Sequence, residues 1–256
     1  MRFPWTREPD PLAEPFPQAW LAILNANVAL YHALTPTEQS RLRDGLRLFI
    51  ARKSWEGCRG LPMTDEIRVT ISAQACLLQM GWEPMDLFPN VESILVYPAG
   101  YVATQRTVGP GGVIRESPSA RAGEAWSQGP VILSWPDALA GGRKWSDGHN
   151  VVLHEFAHKL DFRDGAGDGV PPLSEAEQYE TWSRVMSAEY AELVARKEAG
   201  EETLLDWYGA TDPAEFFAVA TECFFEKPRE LAGTHPALYG VLHGYYRQDP
   251  ARRGGH

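Results

Sequence analysis

The residues best able to do chemistry lie in VVLHEFAHKLD, Val151 to Asp161, where His154 and His158 stand four apart and Glu155 follows the first histidine. Residues four apart on a helix share a face, separated by about 6 Å along the axis. Two imidazoles so spaced can place ring nitrogens about 2 Å from one zinc ion. Glu155 then projects beside the ion, where it can take a proton from zinc-activated water and pass it to a leaving amine. This is the H-E-x-x-H pattern of metal-dependent hydrolysis. The competing reading is an amphipathic helix whose imidazoles are satisfied by backbone or solvent. Val151, Val152, Phe156, Ala157 and Leu160 make this helix mostly buried, and two histidines with a glutamate would be costly there without a partner.

Zinc catalysis needs a third protein ligand and one open position. Three residues compete for that place. Asp164 completes H-E-x-x-H-x-x-D-x-x-D, a pattern whose sharp turn calls for glycine where this chain has Asp161. Glu215 lies about sixty residues downstream in TDPAEFFAVATECFF, on a helix that Asp212 would cap and Pro213 would open. Asp212-x-x-Glu215 is equally a capping box, in which Glu215 folds back onto the N-cap amide instead of reaching a metal. Glu222, two turns further along the same face, suits a different task, accepting a hydrogen bond from a ligand histidine. Asp161 shares the histidine face and can orient an imidazole or pair with Lys159 or Arg163. The other histidines (His32, His149, His235, His243 and His256) form no rival cluster.

The elements that must position these residues follow from periodicity. Residues 1–17 are rich in proline and charge and predict an extended N-terminal segment. Residues 18–90 read as a helical region: apolar residues recur at helical spacing over 19–32 and 36–52, with Thr35 and Glu38 as a capping box, and over 65–80 between Thr64 and Gly81. From 91 to 256 the pattern predicts a small mixed sheet from SILVYPAGYVAT and GPVILSW, divided by GPGG. Helices then follow over 148–159, 175–198 and 212–225, with a helical or turn-rich tail over 236–246. The class is α+β.

Composition narrows the partners. With 256 residues, 44% of them hydrophobic, the chain can bury a large core. A formal charge of −10 argues against nucleic acid and anionic membrane surfaces. Cys58, Cys76 and Cys223 are too scattered for a zinc knuckle or redox pair and read as reduced core thiols. No apolar run reaches bilayer length, and the N-terminus lacks a secretory apolar stretch. The expectation is a cytoplasmic monomer.

DGHNVVLHEFAHKLD, WYGATDPAEFFAVATECFF, ILVYPAGYV and GPVILSW together resemble the Mlc titration factor A family of zinc-dependent peptidases, from about Leu46 to about Asp249. The resemblance implies a zincin-like, gluzincin-type catalytic region with one Zn2+ per chain, held by His154, His158 and Glu215. Glu155 would be the base, and the family motif includes Asp161. It also draws in Tyr208, seven residues before Glu215, as the hydroxyl that would stabilise an oxyanion; without the resemblance Tyr208 is a loop aromatic beside Trp207. GPVILSW would be an edge strand that binds peptide backbone. The implied activity is peptide hydrolysis, aminopeptidase-like on small peptides. Because the family is known for sequestering the repressor Mlc, the alternative is a regulatory protein that binds a transcriptional repressor of the Mlc type.

Overall fold

The computed structural model describes residues 10–99 and 129–253, and between them the backbone of the strands within 101–125. Three helices come first: α1 (Gln18–Asn27), α2 (Pro36–Arg52) and α3 (Asp65–Gln79). The Thr35 hydroxyl accepts the Glu38 amide at 3.3 Å, and the Glu38 carboxylate accepts the Thr35 amide at 2.8 Å. Two donors that a helix start leaves unsatisfied are thus paired reciprocally. Thr64 likewise caps α3 through the Ile67 amide, at 3.3 Å. The helix expected over 19–32 breaks after Asn27 and resumes as a 3₁₀ turn, Ala29–Ala33. Asn27 holds the break, donating to Glu66 and Thr70 and accepting from Arg143.

Six strands follow the chain: β1 (Ser54–Gly57), β2 (Ser93–Tyr97), β3 (Tyr101–Val108), β4 (Ile114–Arg121), β5 (Gly123–Ala125) and β6 (Val131–Ser134). They form a four-stranded sheet in the order β1-β2-β6-β5 and a separate β3–β4 hairpin. β1, β2 and β6 are parallel, and β5 runs antiparallel to β6, so the sheet is mixed. Periodicity does not predict β1: four residues are too few to show alternation, and α3 supplies the crossover that brings them beside β2. β6 also departs from the expected edge position. Val131–Leu133 pair with Gly123–Ala125 on one side, and Val131–Ser134 pair with β2 on the other, leaving β5 at the edge. The apolar run of β6 matches this interior place. The expectations for GPGG and for residues 1–9 lie outside the described residues, as does His256.

The second half is helical: α4 (Trp135–Arg143), α5 (Val151–Asp161), α6 (Ala176–Ala199), α7 (Pro213–Glu226), α8 (Pro228–Thr234) and α9 (Pro236–Tyr246). The class is α+β, and no described helix is long and apolar enough to cross a membrane. Phe49, Phe88 and Phe156 meet edge to face at 4.7–6.2 Å, locking one side of α5 to α2. Trp182 against Phe217, at 5.5 Å, joins α6 to α7. Every residue of α7 from Phe216 to Glu226 is buried, so α5 and α7 lie in the interior and pack against each other. Burial raises the thiol pKa of Cys76 and of Cys223, the latter to about 12, as befits unreactive core cysteines.

Candidate metal centre

α5 begins at Val151, three residues later than periodicity predicts, because Ser146 and Gly148 take φ of +140° and +85°. A helix cannot pass through such residues. Asn150 becomes the N-cap, its Oδ1 accepting the Leu153 amide at 3.0 Å. One turn into the helix, His154 Nε2 lies 3.2 Å from His158 Nε2. Glu215 Oε2, from α7, lies 3.0 Å from His154 Nε2 and 3.3 Å from His158 Nε2. A tetrahedral ion bound at about 2.0–2.1 Å sets its ligand atoms about 3.3–3.4 Å apart. The triangle therefore has nearly the size such an ion requires. Among the described residues this is the one converging group of histidine, cysteine and acidic side chains.

The protonation pattern fits a cation as well. His154 Nδ1 lies 2.8 Å from Glu222 Oε1, so a proton on Nδ1 serves Glu222 and leaves the Nε2 lone pair facing Glu215. Lone pairs converging in this way need a positive charge between them, a proton or a metal. Without a metal the pair holds a proton: burial opposes the His154 imidazolium, but bonds to Glu215 and Glu222 overcome it and hold the pKa well above its ordinary value. Burial likewise opposes the Glu215 carboxylate, and the two imidazoles hold its pKa well below the usual range.

Packing brings Glu215 to the Nε2 atoms of both histidines. Asp212 Oδ1 accepts the Glu215 amide at 2.9 Å, so one half of the capping box forms. The Glu215 carboxylate does not fold back; it faces the imidazoles through Oε2 and accepts the Tyr208 hydroxyl through Oε1 at 3.0 Å. Asp206 accepts the Tyr208 amide and sets that turn, and Trp207 and Tyr208 remain 40% and 43% exposed. Asp164 is not brought to the histidines; it is exposed and caps the Ala166 amide at 3.0 Å.

Glu155 is buried on α5, and burial lowers the Lys159 pKa to about 8 against the pull of the Glu155 charge. Lys159 is fully buried, and its Nζ donates to the Gly129 carbonyl at 2.8 Å. Asp161 bonds neither an imidazole nor Arg163, which pairs with Asp86. Its two oxygens lie 3.0 and 2.9 Å from the Gly169 amide. Burial pushes its pKa to about 6 against the pull of that bond. A Cβ on Gly169 would lie 2.4 Å from the Pro213 carbonyl, so Asp161 ties the end of α5 to a loop packed on the first turn of α7.

Two further carboxylates complete the frame. Glu222 accepts the Asn150 amide through the oxygen that does not face His154. Glu226, which sequence reasoning misses, accepts the Ser146 and Gly148 amides at 3.1 and 3.2 Å and the Asn150 side chain at 3.2 Å. The signal was present: Glu215, Glu222 and Glu226 are spaced seven and four apart, on one face of a helix otherwise apolar enough to be buried.

The sequence profile of the glucose-regulated metallo-peptidase M90 family matches residues 3–247. An uncharacterized protein of Synechocystis is 42% identical over 247 residues, 95% of this chain and 89% of its own. Proteins named Mlc titration factor A from Serratia proteamaculans and Edwardsiella ictaluri are each 33% identical, covering 99% of this chain and 95% of their own.

Proposed function

The chain belongs to the glucose-regulated metallo-peptidase M90 family, and from that premise we propose that it is a zincin-like zinc metallopeptidase, aminopeptidase-like on small peptides. The observation that carries this reading is the convergence of His154 Nε2, His158 Nε2 and Glu215 Oε2 at 3.0–3.3 Å. Two imidazoles and one carboxylate are a donor set that suits zinc. A zinc ion bound there would supply Lewis acidity, polarising the scissile carbonyl and lowering the pKa of water.

The chain's own groups then divide the work. Glu155 takes the proton of the attacking water and returns it to the departing amine. Glu222 keeps the proton of His154 on Nδ1, so that Nε2 stays a ligand. The Tyr208 hydroxyl, resting on Glu215, is the donor within reach of charge developing on the carbonyl oxygen. Asp161, through Gly169, keeps the first turn of α7 against the end of α5. The formal charge of −10 supports a reading in which neither nucleic acid nor membrane is a partner.

Glu155→Gln tests the assignment. It should retain one zinc per chain by elemental analysis and lose nearly all hydrolysis of short peptides; hydrolysis at the parent's rate would sink it. The name of the Serratia and Edwardsiella relatives favours a second reading, in which the protein captures a repressor of the Mlc type. Pull-down of such a repressor by parent and Glu155→Gln alike would separate binding from catalysis.

A further inference from the structure

Ser146 to Asn150 lead into α5 through two left-handed residues, and one of them, Ser146, holds a backbone conformation that would not persist alone. Ser146, which has a Cβ, sits at φ +140°, and Gly148 at +85°. Non-glycine residues keep such angles only where their surroundings over-determine them. Here the surroundings are chiefly one side chain. Glu226 Oε2 accepts both the Ser146 and the Gly148 amide, and Oε1 accepts the Asn150 side-chain amide. Glu226 is buried at 5% exposure, so these bonds do not compete with bulk water. Gln74 of α3 accepts a second hydrogen from the Asn150 side chain at 2.9 Å.

Asn150 is the link to the candidate metal centre. Its Oδ1 caps α5, and its backbone amide donates to Glu222, whose other oxygen holds His154 Nδ1. The start of α5 sets the rotation of the whole helix, and a slip of one residue would turn His154 by about 100° away from Glu215.

We propose that Glu226 is a positioning residue for the metal centre: by holding Ser146, Gly148 and Asn150 it sets the start of α5 and thereby the aim of His154 at Glu215. The inference rests on the metallopeptidase reading, since it concerns a residue two layers from the ion. It reaches beyond that reading in assigning metal affinity to a carboxylate that touches neither ion nor substrate. The third carboxylate of α7 thus acts on the loop before α5, as the first acts on the ion and the second on the imidazole.

The test is cobalt(II) affinity and the visible d–d spectrum of the cobalt-loaded full chain, which reports coordination geometry. Glu226→Ala should weaken cobalt binding about tenfold, the low end of the loss seen when an outer partner of a metal ligand is removed, and should alter the spectrum. Glu226→Gln keeps an acceptor for the Ser146 and Gly148 amides and should recover most of both. Adding Ser146→Gly to Glu226→Ala should also recover part of the affinity, because glycine holds the loop angle without help. Glu189→Ala, which breaks a half-buried 2.7 Å pair with His235 elsewhere, should lower Tm yet leave the spectrum unchanged. If Glu226→Ala is too unstable to purify, the Ser146→Gly double variant compared with Ser146→Gly alone carries the same comparison. Parent and Glu226 variants with equal affinity and identical spectra would overturn the inference alone. A parent that binds no cobalt or zinc would overturn the metallopeptidase reading with it.

Discussion

Replacing Glu215 by alanine removes the oxygen that lies 3.0 and 3.3 Å from the two imidazoles, and the consequence can be worked through to a melting temperature. With free zinc at about one hundred times the parent's Kd, binding stabilises the parent by about 2.7 kcal/mol. For a chain of this size each kcal/mol moves Tm by about 2–4 °C. Zinc should therefore raise the parent's midpoint by about 5–11 °C over the chelated protein. Losing a direct ligand should weaken binding by at least the roughly hundredfold upper bound for an outer partner. At the same zinc concentration the gain then falls to about 0.4 kcal/mol, a shift below about 2 °C. The variant should still fold, because Asp212 caps α7 through the backbone amide of residue 215, which alanine keeps. Scanning fluorimetry of both proteins, chelated and zinc-loaded, reads the difference directly. An equal zinc-dependent rise in Glu215→Ala would refute the argument and return the third ligand to another residue.

Tyr208→Phe removes a hydroxyl that now rests on Glu215; it should keep the metal and lower kcat about 10²–10³-fold, and an unchanged kcat would leave Tyr208 a packing residue. Burial raises the Glu226 carboxyl to about 8 from an ordinary 4.5, against the pull of its three donors. Between those values the folded chain holds a proton that the unfolded chain has lost, so its contribution to stability is full below the lower value and is lost as pH rises toward the upper one. The slope reaches about 1.4 kcal/mol per pH unit at most. Melts of the chelated protein between about pH 5 and 8 should show it in the parent and not in Glu226→Gln, and parallel curves would count against it. Gly169→Ala must place a Cβ 2.4 Å from the Pro213 carbonyl at φ +82° and should cost roughly 2–3 kcal/mol. Gly148→Ala at φ +85° meets only the end of Lys227 and should cost less; urea unfolding of the pair decides the order.

Much of this architecture was legible because it is local. The capping box at Thr35 and Glu38, the helix over 36–52 that it opens, and the four-residue spacing of His154 and His158 depend on contacts between residues a few positions apart. Helical geometry dictates such contacts before any tertiary packing exists. The family resemblance reached further, picking Glu215 out of the candidates, but it did so by likeness of pattern. Residue spacing alone left Glu215 between a capping role and a metal-facing one.

That ambiguity, and the ones sequence could not pose, were settled by contacts over long separations. Glu215 turns to histidines 57 and 61 residues away because α7 packs along α5; an isolated Asp-Pro-Ala-Glu turn would close the box instead. β1 exists because α3 returns the chain beside it, and β6 loses its edge because β5 pairs there. Glu226 is invisible as a frame residue until the loop at Ser146 lies under it. The sequence by itself determined the longer helices, though not α4 or α8, and that two imidazoles share one face. Only tertiary structure decided which carboxylate meets them, since a third group must come from a second helix, and the approach of two helices is set by the whole apolar core between them rather than by any spacing along the chain.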